Sequence, residues 1–298
     1  MGPSVVAVKA HAKVNLYLEV GAKRPDGYHR VDTVLHTLAL HDTVTIREAN
    51  GLSVVCAPDI GVAQEHNLVY RAAVSLAETL GRRVDVAISV DKRIPDGAGL
   101  GGGSSDAAAT LAGLAMMWEV DPEDPLLITV AAALGADVPF FLGGGAALYA
   151  GRGDELVTAL PPMSVPVALV KPRESVSTGA AYEAFDRLPH SAGPGANRLS
   201  DALRAGDRVD TVASLHNNMT EASVGLVPAI GEALAWCQSA RGVLGAAMAG
   251  SGSAVFAVCE DAGAADRIAR DSSMQGWWGS STTTAPEGAV AVRVEERQ

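Results

Sequence analysis

A segment dense in glycine, residues 95–107, constrains the fold of this chain more than any other stretch. It holds five glycines, and Ser104, Ser105 and an alanine-rich run follow them. Glycine lets a backbone turn where a Cβ atom would clash, and lets it approach a ligand closely. The run from 105 to about 118 predicts a helix, whose start offers unpaired N–H groups and the positive end of a dipole. We therefore predict a loop that cradles a phosphate, with the two serines capping the helix or donating hydroxyls to the anion.

Three interpretations of this glycine segment compete. A flexible linker without a ligand rarely lies between a clean strand and a clean helix. A dinucleotide loop is suggested because Gly97, Gly99 and Gly102 satisfy G-x-G-x-x-G. However, the spacer 91–96 separates them from the preceding strand, whereas a Rossmann loop follows its strand directly. A nucleoside-triphosphate loop fits this context, although the chain has no Gly-Lys-Ser/Thr and so no Walker A motif.

The composition is typical of a folded protein without a nucleic-acid partner. The 298 residues suffice for one large domain or two ordinary ones, and 48% of them are hydrophobic. With 23 Lys and Arg against 34 Asp and Glu, the net charge of −11 argues against nucleic-acid and anionic-membrane partners. We see no signal peptide and no apolar run long enough for a membrane span, so we expect a cytoplasmic protein. Pro161-Pro162 suggests a boundary between domains at 1–160 and 161–298.

Alternation and helical periodicity predict a mixed order of elements. Strands are predicted at 4–9, 14–20, 31–40, 43–47, 52–56, 84–90, 165–170, 254–259 and 289–294. Further helices are predicted at 68–80, 125–134, 177–188, 199–203, 209–215, 230–239 and 262–270. Asn67 is expected to cap the first of these helices and Gly81 to end it. The segment 272–286 fits no element.

Outside the glycine segment, three places carry candidate chemistry. Lys13 and Asn15 are two apart on a predicted strand and share its polar face, although a surface lysine would fit the same pattern. Asp137 stands among Ala, Val, Pro and Phe, where a carboxylate either caps a helix or needs a partner or a task. A Pro-Asp-Gly turn presents Tyr28 and His29, which could bind a base or simply pack within the turn.

The glycine segment resembles the phosphate loop of the GHMP kinases, whose pattern is roughly Pro-x-x-x-Gly-Leu-Gly-Ser-Ser-Ala. The residues that match it are Pro95, Gly99, Leu100, Gly101, Ser104, Ser105 and Ala107. The family's other two motifs are similar to the strand around Lys13 and to a glycine-serine turn at 247–253. Within the family, the chain most resembles members acting on an alcohol that carries a cytidine diphosphate group. That likeness rests on residues 12–16, 24–29, 97–106 and 134–140.

The resemblance implies an α+β fold of two domains. The N-terminal domain would resemble domain 2 of ribosomal protein S5, with helices on one side of a mixed sheet. The C-terminal domain would be ferredoxin-like, and the active site would lie in the cleft between them. The implied reaction transfers a phosphoryl group from ATP, accompanied by Mg²⁺, to the C2 hydroxyl of the cytidylyl substrate in non-mevalonate isoprenoid synthesis. Another GHMP kinase activity, on mevalonate, homoserine or a sugar, and a non-catalytic binding protein stay open as alternatives.

The resemblance also implies roles for individual residues. Asp137 would be the general base, and Lys13 beside it would keep it ionised and stabilise the moving phosphoryl group. Tyr28 and Tyr182 would stack on cytosine, and His29 would hydrogen-bond its edge. The implied ATP-binding residues are Pro95, Asp96, Gly97, Ala98, Gly99, Leu100, Gly101, Gly102, Gly103, Ser104 and Ser105. The rest of the implied pocket is Asn15, Thr178 and the third glycine motif, Gly250, Ser251 and Gly252.

Overall fold

Two β-sheets with helices packed against them make up the protein, which a computed structural model describes over residues 2–189 and 193–294. The strands are β1 (Val5–Lys23), β2 (His29–Glu48), β3 (Ser53–Ala57), β4 (Val86–Asp91), β5 (Ala146–Ala150), β6 (Glu155–Leu160), β7 (Pro166–Lys171), β8 (His216–Asn217), β9 (Val243–Met248), β10 (Val255–Cys259), β11 (Trp278–Thr283) and β12 (Ala291–Arg293). The helices are α1 (Leu68–Leu80), α2 (Gly102–Met117), α3 (Pro125–Leu134), α4 (Val138–Gly143), α5 (Thr178–Phe185), α6 (Ala196–Ala205), α7 (Arg208–Ala213), α8 (Thr220–Leu226), α9 (Ala229–Ser239) and α10 (Ala262–Asp271). Across the two described ranges, no helix combines the length and the apolar character that crossing a bilayer requires.

The first sheet is organised around two long antiparallel strands, β1 and β2. The sequence predicted two shorter strands in place of each, and that prediction is wrong. The breaks in alternation reflect buried polar residues rather than strand ends: His11, Lys13 and Asn15 are all buried on β1. The pairing with β2 shifts register between His11 and Lys13, and the strand continues through this irregularity.

The remaining strands extend this sheet in both directions. β4 and β5 both pair with β2, at residues 43–48 and 33–36 respectively. β3 lies parallel to β4, and β6 lies antiparallel to β5. On its other edge β1 pairs with β8 and β12, so the later part of the chain returns twice to the first sheet. The boundary between residues 160 and 161 stays a prediction.

Helices α1 to α4 pack with the first sheet around one apolar core. Asn67 caps α1 by accepting a hydrogen bond from the Val69 N–H, and Gly81 ends it at a φ of 62°, as predicted. Helix α2, however, begins at Gly102 rather than near Ser105, and its cap residue forms no side-chain hydrogen bond. The predicted serine cap is wrong because both serines lie inside the first turns of the helix.

The second sheet has the order β11-β7-β10-β9 with antiparallel pairing throughout. α9 leads into β9, and α10 connects β10 to β11. The order fourth, first, third, second is that of a ferredoxin-like sheet, as the resemblance implied. The segment that sequence could not place supplies the edge strand β11, and its Trp277 packs edge-on against Trp236, with ring centroids 5.8 Å apart.

Helix α2 can approach the first sheet closely because Gly113 faces it. A Cβ atom at Gly113 would lie 2.7 Å from Ile46 Cδ1 and 3.1 Å from Val8 Cγ2. We expect Gly113→Val to lower the free energy of unfolding by about 1–3 kcal/mol through overpacking, measured by urea denaturation. The matched control is Gly225→Val on α8, where a Cβ atom would meet nothing within 4 Å. Equal effects of the two variants would contradict this packing argument.

Candidate active site

The glycine segment forms a loop between β4 and α2 whose backbone no other residue type fits. Gly97, Gly99 and Gly101 have φ angles of 60°, 74° and 75°, in the left-handed region. A Cβ atom at Gly99 would lie 2.1 Å from the carbonyl oxygen of Ala249, and one at Gly101 would lie 2.6 Å from Phe141 Cζ. The glycines are therefore required by close approach as well as by the turn.

The third glycine motif lies directly against this loop. The Ser253 N–H donates to the Gly97 carbonyl at 3.3 Å, and the Ala254 N–H donates to the Ala98 carbonyl at 3.0 Å. Asn217 supports the motif from behind, because its Nδ2 donates to the carbonyl oxygens of Met248 and Gly250, both at 2.8 Å. Sequence reasoning missed Asn217, which nothing near it in the chain marks as functional.

Two cavities flank the glycine loop. The larger, of about 390 Å³, is lined by Lys13, Asn15, Asp137, Thr178, Tyr182, Gly250 and Ser251 together with further residues. The smaller, of about 210 Å³, is lined by Leu68, Lys92, Ile94 and every residue from Pro95 to Ser104. Gly99, Gly101 and Ser104 line both cavities. Ser105 lines neither: it is buried, and among the described residues its hydroxyl has no hydrogen-bond partner.

Lys13 and Asp137 meet at the floor of the larger cavity. Lys13 Nζ lies 3.6 Å from Asp137 Oδ2 and donates to Asn15 Oδ1 at 2.7 Å. Only 4% of Lys13 is exposed, which excludes the surface lysine that its strand pattern would also allow. Asp137 precedes α4 but, within the described residues, forms no side-chain capping bond, so its carboxylate, 35% exposed, faces the cavity.

Asn15 holds Lys13 in place. Its Oδ1 accepts hydrogen bonds from Lys13 Nζ and from the Gly250 N–H at 3.0 Å. Its Nδ2 donates to Thr33 Oγ1 at 2.9 Å on the neighbouring strand. Because the oxygen already accepts from two donors, Asn15 joins β1, β2 and the third glycine motif around the lysine. The sequence predicted a substrate contact at Asn15, which stays a prediction.

Tyr182 lines the larger cavity, and His29, which lies outside that lining, packs against the Tyr182 ring. Their ring centroids are 5.0 Å apart, and His29 is buried, with Nε2 2.6 Å from Asp186 Oδ1. Burial, and then the charge of Asp137, raise the pKa of Tyr182, so its phenol stays protonated at neutral pH. Sequence reasoning missed Asp186, which orients the imidazole from α5's C-terminal end.

Tyr28 and Thr178 lie at the edge of the site. Tyr28 is 56% exposed and does not line the cavity; its ring lies under the guanidinium group of Arg152, 4.9 Å from centroid to carbon. Arg152 does line the cavity. Thr178 Oγ1 lies 3.1 Å from Ser251 Oγ and so links α5 to the third glycine motif.

A buried ionic cluster fixes both ends of the glycine loop. Lys92, before the loop, donates to Asp106 on α2 at 2.6 Å and to Asp42 on β2. Asp42 also accepts the Ile94 N–H at 2.8 Å and the Arg93 N–H. Burial would lower the pKa of Lys92, but the charges of Asp106 and Asp42 outweigh it and raise that pKa.

Asp106 has a raised pKa within this cluster. Burial, only partly offset by Lys92 and reinforced by the charge of Asp42, raises its pKa to about 7. Its Oδ1 is buried and has no hydrogen-bond partner among the described residues, whereas Asp42 has three donors. Two carboxylates share one ammonium here, and Asp106 has the fewer donors.

Two family models match the chain. The model for the GHMP kinases N terminal domain matches residues 67–145, and that for the GHMP kinases C terminal matches residues 199–271. The first range contains the glycine loop and Asp137, and the second contains Asn217 and the third glycine motif.

Individual relatives match over nearly the whole chain. A protein of Rhodococcus jostii (strain RHA1) named 4-diphosphocytidyl-2-C-methyl-D-erythritol kinase is 40% identical, over 90% of this chain and 88% of its own length. One of the same name from Pelotomaculum thermopropionicum is 41% identical over 89% of this chain and 93% of its own.

Solved structures agree with these sequence matches. A crystal structure of 4-(cytidine 5'-diphospho)-2C-methyl-D-erythritol kinase is 34% identical, with a TM-score of 0.77, over 94% of this chain and 99% of that one. A homoserine kinase from Cytophaga hutchinsonii shares the fold, with a TM-score of 0.74 at 18% identity over 97% of this chain and 98% of its own.

The raised pKa of Asp106 predicts a pH dependence of stability. Between the unfolded pKa near 4 and the folded value of about 7, the folded state binds the extra proton, so raising the pH through this window destabilises it. As the pH rises, we expect the free energy of unfolding of the wild type to fall relative to that of Asp106→Asn. The fall should be at most about 1.4 kcal/mol per pH unit. Urea denaturation between pH 4.5 and 6.5 measures this, with Asp91→Asn, exposed on β4, as the control. Parallel profiles for wild type and Asp106→Asn would contradict it.

Proposed function

This chain belongs to the GHMP kinases, and we propose that it transfers the γ-phosphoryl group of ATP to the C2 hydroxyl of 4-diphosphocytidyl-2-C-methyl-D-erythritol. The products are the 2-phosphate and ADP, on the non-mevalonate route to isoprenoid precursors. Its fold is the two-domain α+β fold of that family, as predicted from the sequence. The observation that carries the reaction is the Lys13–Asp137 pair, which faces the glycine loop across one cavity.

Asp137 is the general base in this proposal. Its carboxylate is half-exposed to the cavity and can accept the proton of a hydroxyl placed there. Lys13, 3.6 Å away, stabilises the forming alkoxide and the transferred phosphoryl group with its positive charge. Asn15 keeps the ammonium group beside the carboxylate, so the pair needs no rearrangement when substrate binds.

ATP is proposed to bind along the glycine loop. The smaller cavity follows the loop from Pro95 to Ser104, and the N-terminus of the 16-residue helix α2 points its unpaired N–H groups to the same region. The γ-phosphoryl group would then lie where the cavities share Gly99, Gly101 and Ser104. This position is next to the Lys13–Asp137 pair, and positioning of this kind supplies much of the catalysis in phosphoryl transfer.

Magnesium is expected to arrive with ATP. Among the described residues no cluster of three or more His, Cys, Asp or Glu side chains could hold a metal ion alone. Such a cluster is not needed, because magnesium in kinase sites is bound largely by substrate phosphates and water. The Ser104 hydroxyl lines the cavity and fits as one of its oxygen ligands. The ion would neutralise charge on the transferred phosphoryl group.

The cytidine end of the acceptor is proposed to bind against Tyr182 and His29. Tyr182 faces the cavity, and the His29 imidazole, which Asp186 fixes, packs against it as the second ring of an aromatic wall. With the boundary between domains proposed at 160 and 161, this wall combines His29 of the first domain with Tyr182 of the second. Lys13 and Asp137 come from the first domain, and Thr178 and Gly250 from the second, which supports a site in the cleft between them.

A panel of acceptors tests the proposed function. ADP release is measured with ATP, magnesium and, in turn, 4-diphosphocytidyl-methylerythritol, mevalonate, homoserine and galactose. We expect turnover with the cytidylyl substrate alone, because only it has a base for the aromatic wall. Turnover with another acceptor would keep the kinase and overturn the substrate. Absence of turnover with all four, while ATP still binds, would favour the non-catalytic alternative.

Asp137→Asn tests the role of the base. We expect kcat to fall by about 10²–10⁴-fold, because the amide cannot accept the proton, while the affinity for ATP stays within about twofold. The control is Asp201→Asn on α6, an exposed aspartate in an ion pair with Arg204 that lies outside both cavities. A fully active Asp137→Asn enzyme would remove this carboxylate from the mechanism.

A further inference from the structure

Arg152 projects into the larger cavity from a turn of fixed shape. Gly151 and Gly153 flank it at φ angles of 74° and 89°, and the Val31 N–H donates to the Gly151 carbonyl at 2.8 Å. Val31 and Arg152 also form an isolated bridge, so the backbone of the turn is tied to β2 beside the cavity.

The guanidinium group is oriented by two neighbours but not enclosed by them. Asp154 Oδ2 accepts from Nε at 3.0 Å and from Nη2 at 2.7 Å, and Tyr28 covers one face of the group. These bonds use two of the five N–H donors of an arginine. The side chain is 45% exposed, so the remaining donors can reach a ligand in the cavity.

The charges that line this cavity leave a distinct task for Arg152. Among the described lining residues the charged groups are Lys13, Asp137 and Arg152. Lys13 is buried between Asn15 and Asp137, and that pair serves the reacting hydroxyl and the transferred phosphoryl group. An acceptor that carries a second anionic group needs another cation, and Arg152 is the exposed one.

We propose that Arg152 binds the diphosphate of the acceptor and thereby selects for substrates that carry one. This inference rests on the proposed function, in which the diphosphate lies between the cytosine at the aromatic wall and the C2 hydroxyl at Asp137. A planar guanidinium group binds phosphate oxygens through paired hydrogen bonds, which an ammonium group does not match. Tyr28 and Asp154 are then positioning residues, which orient the guanidinium group toward the diphosphate.

A purely structural role for the Arg152–Asp154 pair is the competing explanation, and the chain offers a matched control for it. Arg30 and Asp32 have the same spacing in the sequence and also form an ion pair, at 3.2 Å. Arg30 is 69% exposed and does not line the cavity. Replacing either arginine by glutamine removes one charge and one ion pair, and only Arg152→Gln removes a cation from the cavity.

Steady-state kinetics of Arg152→Gln and Arg30→Gln test the proposal. We expect Arg152→Gln to raise KM for 4-diphosphocytidyl-methylerythritol by about 10- to 100-fold, with KM for ATP and the thermal midpoint close to those of wild type. Arg152→Lys should raise this KM less than Arg152→Gln does, because lysine keeps the charge but lacks the paired hydrogen bonds. Arg30→Gln should behave as wild type. An unchanged acceptor KM in Arg152→Gln would overturn the proposal.

Calorimetric binding of CDP and of cytidine separates the diphosphate from the base. Wild type and Arg30→Gln should bind CDP more tightly than cytidine, and Arg152→Gln should lose this preference while its affinity for cytidine stays the same. An equal loss for both ligands would overturn the proposal in favour of a structural role. If wild type turns over no cytidylyl acceptor, the proposed function fails and this inference with it. An active wild type with an unaffected Arg152→Gln defeats this inference alone.

Discussion

The rest of the site depends on a direct backbone contact between the glycine loop and the third glycine motif. Gly99 and Ala249 come so close that a single added methyl group would overlap a carbonyl oxygen. This contact joins the loop between β4 and α2 to the turn between β9 and β10, and residues of both line the larger cavity. Lys13 joins the same arrangement, because its own N–H donates to the Leu100 carbonyl at 3.0 Å. Phosphate loop, lysine and third motif are therefore one unit.

Two buried lysines in and beside this unit each interact with two partner groups. Lys13 is shared between an amide and a carboxylate, and Lys92 between two carboxylates. Removing one partner of such a pair leaves a buried charge without compensation. This destabilises the protein by more than the intact pair stabilises it. The polar residues buried on β1 thus restrict which neighbours can be substituted, in the loop as well as on the strand.

Local sequence patterns predicted local structure well. The long-range structure was predicted only through the resemblance to the GHMP kinases. The cap at Asn67 and the stop at Gly81 depend on neighbouring residues, and both were predictable. The continuous β1 was not, because the polar residues that interrupt its alternation are buried by segments distant in the sequence, as the Lys13–Asp137 pair and the Asn15–Gly250 bond illustrate. Asn217, Arg152 and Asp186 were missed for the same reason: nothing beside them in sequence indicates what they face.

The short parallel pairing of β8 with β1 has a consequence for how the cleft can move. Tyr17 and Leu18 pair with His216 and Asn217, and Asn217 in turn holds the third glycine motif. A hinge that swung the second sheet away from the first would have to break either this short ladder or the hydrogen bonds from Asn217 to the third glycine motif. The site is thus preorganised: its conformational entropy is lost when the chain folds rather than when a ligand binds.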